Sequence, residues 1–196
     1  MTGWKLFGAL SAVVAALAGV AYALGPDPVQ ALQYAVRVTA RTSYILFLLV
    51  FTASAVARLA PSGFTRALMR ERRYLGLSFA FSMLLHAIAL AVYFDLAPHA
   101  FWVGRTVATN IPGSIGYVFI LALAITSFKA ASRLIGPDKW RRLHKTGVWF
   151  IAVIFAGSFF TRMSHHFYYV APGALMVAAM ILRAHAHLTR VRRNPA

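Results

Sequence analysis

Six apolar stretches, each long enough to cross a bilayer, alternate with short polar loops along this chain, and that alternation restricts the fold more than any other feature. They run over about residues 6–24, 42–59, 74–94, 113–134, 143–161 and 168–187. A helix needs roughly 20 apolar residues to traverse a hydrocarbon core of ~30 Å, and each stretch meets or approaches that length. Peptide groups find no water inside a bilayer, so runs of this kind satisfy their hydrogen bonds internally, as helices. The predicted architecture is all-α: a polytopic bundle of six transmembrane helices making a single domain over residues 1–196. Composition agrees, with 60% hydrophobic and 12% charged residues, against about half and a quarter in soluble domains.

The net charge of +16 arises from 20 Lys and Arg against only Asp27, Glu71, Asp95 and Asp138. In a soluble protein such a balance would suggest nucleic acid. Here the cations flank apolar spans, so membrane lipid is the expected partner and no nucleic acid is. Lys5, the clusters at 58–73 and 129–145, and the tail with Arg190, Arg192 and Arg193 alternate with loops holding only Arg37, Arg41, Arg105 and Arg162. Positive-inside sorting then places both termini in the cytoplasm and the protein in the cell (inner) membrane. It also makes spans three and five parallel. The first span has a rival reading, because Lys5, the apolar run and Ala21-Tyr22-Ala23 fit a cleavable signal peptide; the length of the run and its weakly basic start favour a retained helix. Gly25-Pro26-Asp27-Pro28 reads as a helix break followed by a linking segment that leads into span two.

There are no cysteines, which excludes disulfides, thiolate nucleophiles, iron–sulfur clusters and thioether-attached haem. No acidic residue lies within an apolar span, which argues against a carboxylate-based proton path. Of seven histidines, His86 is mid-span, where an ionisable group is costly and by default functional. From periodicity alone, His86 reads equally as a packed imidazole bonded to Ser or Thr and as a metal ligand. His144 opens span five within Trp140-Arg141-Arg142-Leu143-His144, where interfacial snorkelling is the plainer reading. His99, His165, His166, His185 and His187 fall in loops or at span ends, where histidines are mostly solvated.

The segments RRYLGLSFAFSMLLHA at 72–87 and LALAITSFKAASRLIGPDKWRRLHKTG at 121–147, and more loosely the Arg-bearing start of span two at 37–50, carry a family resemblance. The chain resembles the ferric reductase-like transmembrane family, and within it the haem-binding membrane subunits of periplasmic methionine sulfoxide reductase systems. The resemblance implies a six-helix cytochrome b in which His86 and His144 supply the axial ligands of haem b. Filled axial sites suit electron transfer, since no iron position is left for substrate. Family members commonly carry a further span-five histidine for a second haem; here that position is Gly157, followed by Ser158. One haem is therefore expected, and a second would have to draw on His99, His165 or His166. If Arg73 and Arg142 marked equal depths, the two imidazoles would stand roughly 16 Å out of register. Either span three starts below the surface, or residues 139–145 dip inward and set Arg141, Arg142 or Lys145 against the haem propionates.

The function implied is a membrane subunit that passes electrons through haem, rather than a self-contained enzyme. No G-x-G-x-x-G fingerprint and no flavin domain are present. The donor implied is a cytoplasmic flavin reductase or the quinone pool, with FMN or quinone shared with that partner. The acceptor is a periplasmic reductase or a metal at the outer face, docking on loops 95–112 and 162–173. Two other readings stay open: a ferric or other metal reductase subunit with the same wiring, and a haemless scaffold or transporter in which His86 merely packs. An intramembrane serine protease does not fit, because Gly113-Ser114-Ile115-Gly116 is not the G-x-S-G motif it needs.

Overall fold

The computed structural model describes residues 2–164 and 166–193. In order, the elements are α1 (Trp4–Ala23), α2 (Pro28–Leu59), α3 (Gly63–Leu96), α4 (Pro98–Trp102), α5 (Val107–Ile125), α6 (Lys129–Ile135), α7 (Pro137–Met163), a 3₁₀ turn (Phe167–Tyr169) and α8 (Val170–Arg193), and no strand occurs among the described residues. Among the described residues six helical stretches, on α1, α2, α3, α5, α7 and the 3₁₀–α8 segment, are long and apolar enough to cross a membrane. The all-helical six-span expectation is thus met.

Helix limits differ from the hydropathy limits, and capping explains where. Asp27 Oδ1 accepts the amides of Val29 and Gln30, both at 2.9 Å, and Oδ2 accepts Gln30 Nε2 at 2.8 Å. Asp-Pro-x-Gln is a helix start, with Pro28 at the first helical position, where its missing N–H costs nothing. The expected linking segment at 29–41 therefore belongs to α2, directly after its first residue, Pro28. Ser62 and Thr65 form a reciprocal cap, Ser62 N donating to Thr65 Oγ1 at 2.8 Å and Thr65 N to Ser62 Oγ at 3.1 Å. This cap starts α3 at Gly63, so Arg72 and Arg73 lie nine and ten residues inside the helix rather than at its start. Arg142 is five residues into α7. The two basic pairs thus stand at different distances from their helix starts.

Span four, expected over 113–134, divides differently. Thr106 and Thr109 cap each other at 2.9 and 3.2 Å, and α5 runs from Val107 through Pro112. That proline removes only the bond to the Ala108 carbonyl, a loss a second-turn position tolerates better than mid-helix. At the other end Phe128 is extended, and α6 begins separately at Lys129. Gly136 then takes φ +77°, a left-handed value suited to glycine, and Pro137 opens α7.

The chain divides into two units, one comprising Met1–Phe47 and Tyr74–Ala124 and the other Leu48–Arg73 and Ile125–Ala196. In the first, Trp4 meets Tyr74 edge-on at 5.4 Å, Phe7 meets Phe81 at 6.4 Å and Phe47 meets Phe79 at 5.4 Å. Ala35, Thr39 and Ser43 recur every fourth residue on α2 and are buried, as are Ser78 and Ser82 on α3. Small side chains at this spacing let two helix backbones approach closely in a membrane. Gly25 has a similar role in the α1–α2 turn, where a Cβ would fall 2.3 Å from Ala31 Cα. The second unit is organised on Phe51, which is fully buried. Trp149 meets it edge-on at 5.4 Å, and the Arg183 guanidinium lies 4.6 Å from its ring centroid.

Candidate functional site

His86 is half-buried on α3 and turned towards α2. Its Nδ1 is 3.0 Å from the Val36 carbonyl oxygen and 3.0 Å from Thr39 Oγ1. A carbonyl can only accept, so Nδ1 carries the proton and donates. Thr39 in turn donates its hydroxyl to Ala35 O at 2.7 Å, which leaves its oxygen lone pairs facing the imidazole. One turn away along α3, Ser82 Oγ lies 2.8 Å from Ser43 Oγ and 3.1 Å from Thr42 Oγ1. Buried polar groups on this interface are thus satisfied by one another, as a bilayer interior requires. With the proton on Nδ1, the lone pair of the ring is on Nε2, the tautomer in which a second-sphere carbonyl holds a metal-ligating histidine.

His144 belongs to the second unit. Its Nε2 is 3.0 Å from Thr126 Oγ1, and its ring lies 4.3 Å from that of Trp140 at 32°. Trp140 is itself fixed, donating Nε1–H to the Thr126 carbonyl at 2.9 Å. Thr126 therefore anchors both rings at the point where α5 ends. The charge on Arg72 acts on His144 and also on Arg183. Arg183 donates Nη1–H to Phe51 O at 2.6 Å, and Arg58 donates Nη1–H to Ala186 O at 2.6 Å. The carboxylates of this unit are engaged by other arginines, Glu71 by Arg70 at 3.1 Å and Asp138 by Arg141. The surroundings of His144 are consequently electropositive.

The remaining sequence-derived candidates are placed as follows. Arg141 is 69% exposed and bonded to Asp138, while Arg142 and Lys145 are exposed and line an outer cleft on α7. His99 is exposed on α4, beyond the break at Ala97 that ends α3, and so is not on the helix that carries His86. His166 is exposed and stacks on Tyr168 at 5.3 Å. His165 lies outside the described residues. A Cβ at Gly157 would meet nothing within 4 Å. Sequence reasoning missed Thr39, Thr126 and Arg183. Arg183 was detectable, because an arginine inside an apolar run falls under the same rule that singled out His86; the two threonines carry no such mark.

Residues 39–155, well over half of the chain, match a family model described as ferric reductase like transmembrane component. The chain belongs to this family. As a ferric reductase-like protein it is a multi-pass membrane protein, and His86, Thr126 and His144 all fall inside the matched region, of which Thr39 is the first residue. A relative within reach of sequence comparison is the protein-methionine-sulfoxide reductase heme-binding subunit MsrQ of Polaromonas naphthalenivorans (strain CJ2), 34% identical over 125 residues, or 62% of this chain and 54% of that protein. The chain spans about half the length of the curated relative it matches. No solved structure matches it.

Proposed function

We propose that this ferric reductase-like protein is a cytochrome b subunit that carries electrons across the inner membrane, with His86 and His144 as the axial ligands of one haem. The observation that carries the reading is the His86 imidazole, whose Nδ1–H is committed to Val36 O inside an apolar span. That bond fixes the ring and raises the donor strength of Nε2. Likeness to a relative named for heme binding supports haem as the group. Haem b, when bound, supplies one-electron chemistry that no side chain here supplies.

The residues present fit such a group. His144 would release the Thr126 hydroxyl to free Nε2, and a threonine at a helix end readily turns its hydroxyl back to a carbonyl of its own helix. Propionates need a cation close to the ligating imidazole, and Arg72, whose charge acts on His144, meets that need better than Arg141, which is bonded to Asp138, or Arg142 and Lys145, which are exposed along the cleft on α7. Both termini lie in the cytoplasm in this reading, following the Lys and Arg distribution. Electrons arrive from a cytoplasmic flavin reductase or the quinone pool and leave to an outer-face partner. By likeness to MsrQ, that partner is a protein-methionine-sulfoxide reductase.

The test is an oxidised-minus-reduced optical spectrum of the purified protein. Low-spin b-type bands are expected, and they should disappear in both His86→Ala and His144→Ala while helical circular dichroism persists. A colourless wild-type protein from haem-replete cells, or bands retained in both variants, rejects the reading.

A further inference from the structure

Along α7, Arg142, Lys145, Thr146, Trp149, Phe150 and Val153 line an open cleft of about 600 Å³. Their spacing of three and four puts all six on one face, extending roughly 16 Å along the axis, about half the depth of a hydrocarbon core. The two cations stand at one end, a single turn apart, and both are exposed. Asp138 and Glu71, the carboxylates of this unit, are bonded to Arg141 and Arg70 instead. Below the cations the face becomes aromatic and then aliphatic. Trp149 is braced at 5.4 Å and 84° against the buried Phe51 ring, which also carries Arg183, so this wall of the cleft is preformed.

We propose that this face of α7 is a binding site for an anionic phospholipid of the phosphatidylglycerol type, with its phosphate between Arg142 and Lys145 and an acyl chain along Trp149, Phe150 and Val153. The order of chemistries along the face matches the order along such a lipid: anion, glycerol hydroxyls and esters beside the Thr146 hydroxyl, then hydrocarbon. A neutral quinone or sterol would match the apolar half and leave two adjacent cations without a counter-ion. A zwitterionic lipid offers the phosphate together with its own ammonium, which the same two cations repel. Each Lys or Arg near a bilayer surface favours anionic lipid by about a fivefold factor, so a preference of about tenfold overall is a modest expectation for the pair.

Quenching of tryptophan fluorescence by brominated acyl chains tests this on the full chain in phosphatidylcholine nanodiscs. The chain has four tryptophans, and the Trp149 component is the difference between wild type and Trp149→Phe. Brominated phosphatidylglycerol should quench that component at about tenfold lower mole fraction than brominated phosphatidylcholine. Selectivity should vanish in R142Q/K145Q and survive in R142K/K145R. Equal quenching by both lipids would overturn the proposal in favour of unselective bilayer contact. Absence of quenching by either would overturn it in favour of a protein covering this face, and selectivity persisting in R142Q/K145Q would place the anion site elsewhere. Should R142Q/K145Q fail to fold, a salt series on wild type decides: the preference must fall as ionic strength rises, and a salt-independent preference overturns the proposal.

Discussion

The hydrogen bond from His86 to the Val36 carbonyl turns an expensive residue into a usable one. An imidazole in an apolar span is tolerated when its protons and lone pairs are assigned, and here α2 assigns the Nδ1 side twice, through Val36 O and Thr39 Oγ1. Thr39→Val removes one of the two acceptors. Outer-sphere losses of this kind weaken metal binding by about 10- to 100-fold, and with Val36 O retained the low end is expected: roughly tenfold weaker haem affinity in a titration, with low-spin bands kept. Arg72→Gln removes the cation whose charge acts on His144. Less positive charge nearby favours the oxidised iron, so the midpoint potential should fall in a redox titration while helix content is unchanged. His86 was legible in the sequence because the cost of burying an ionisable group points to it. Thr39 was not, because threonine is ordinary in a membrane helix and only the docking of α3 on α2 reveals its partner.

The helices α2, α3, α7 and α8 proved longer than the apolar runs that announce them. Hydropathy marks the part of a helix that can sit in hydrocarbon, whereas caps mark where the hydrogen-bond ladder starts, and charged residues extend helices freely beyond the membrane. Asp27 shows the difference: read as punctuation, Gly25-Pro26-Asp27-Pro28 ends a helix, yet the same residues start α2. Asp27→Ala should lower stability by about 1 kcal/mol, the usual cost of losing an N-cap, seen as a lower midpoint in thermal unfolding in detergent. Asp27→Asn, which keeps a carboxamide oxygen for the amides, should recover most of it. The α5–α6 break was not legible, since no proline or glycine interrupts residues 117–135. Thr126 marks it, with its carbonyl taken by the Trp140 indole and its hydroxyl beside His144, and those partners come from α7, beyond α6.

For the whole molecule, six-span architecture could be read directly from the succession of apolar stretches, because a bilayer leaves the backbone so few alternatives. Haem number is the quantity on which the proposed function most depends. One haem per chain is expected from a pyridine haemochrome assay set against protein mass, and His99→Ala and His166→Ala should leave spectrum and stoichiometry unchanged. A ratio near two would reassign the exposed histidines.

The small polar face of α2 has a consequence for how the protein is made. Thr39, Thr42 and Ser43 meet Ser82 and His86 along one seam, so span three alone would present a histidine and a serine to lipid. During synthesis α2 is delivered first and is the partner that makes α3 acceptable to the bilayer, so the two leave the translocation machinery most easily as a hairpin. Damage to the seam would then appear first as failed insertion and degradation of the nascent chain, before any electron has been asked to move.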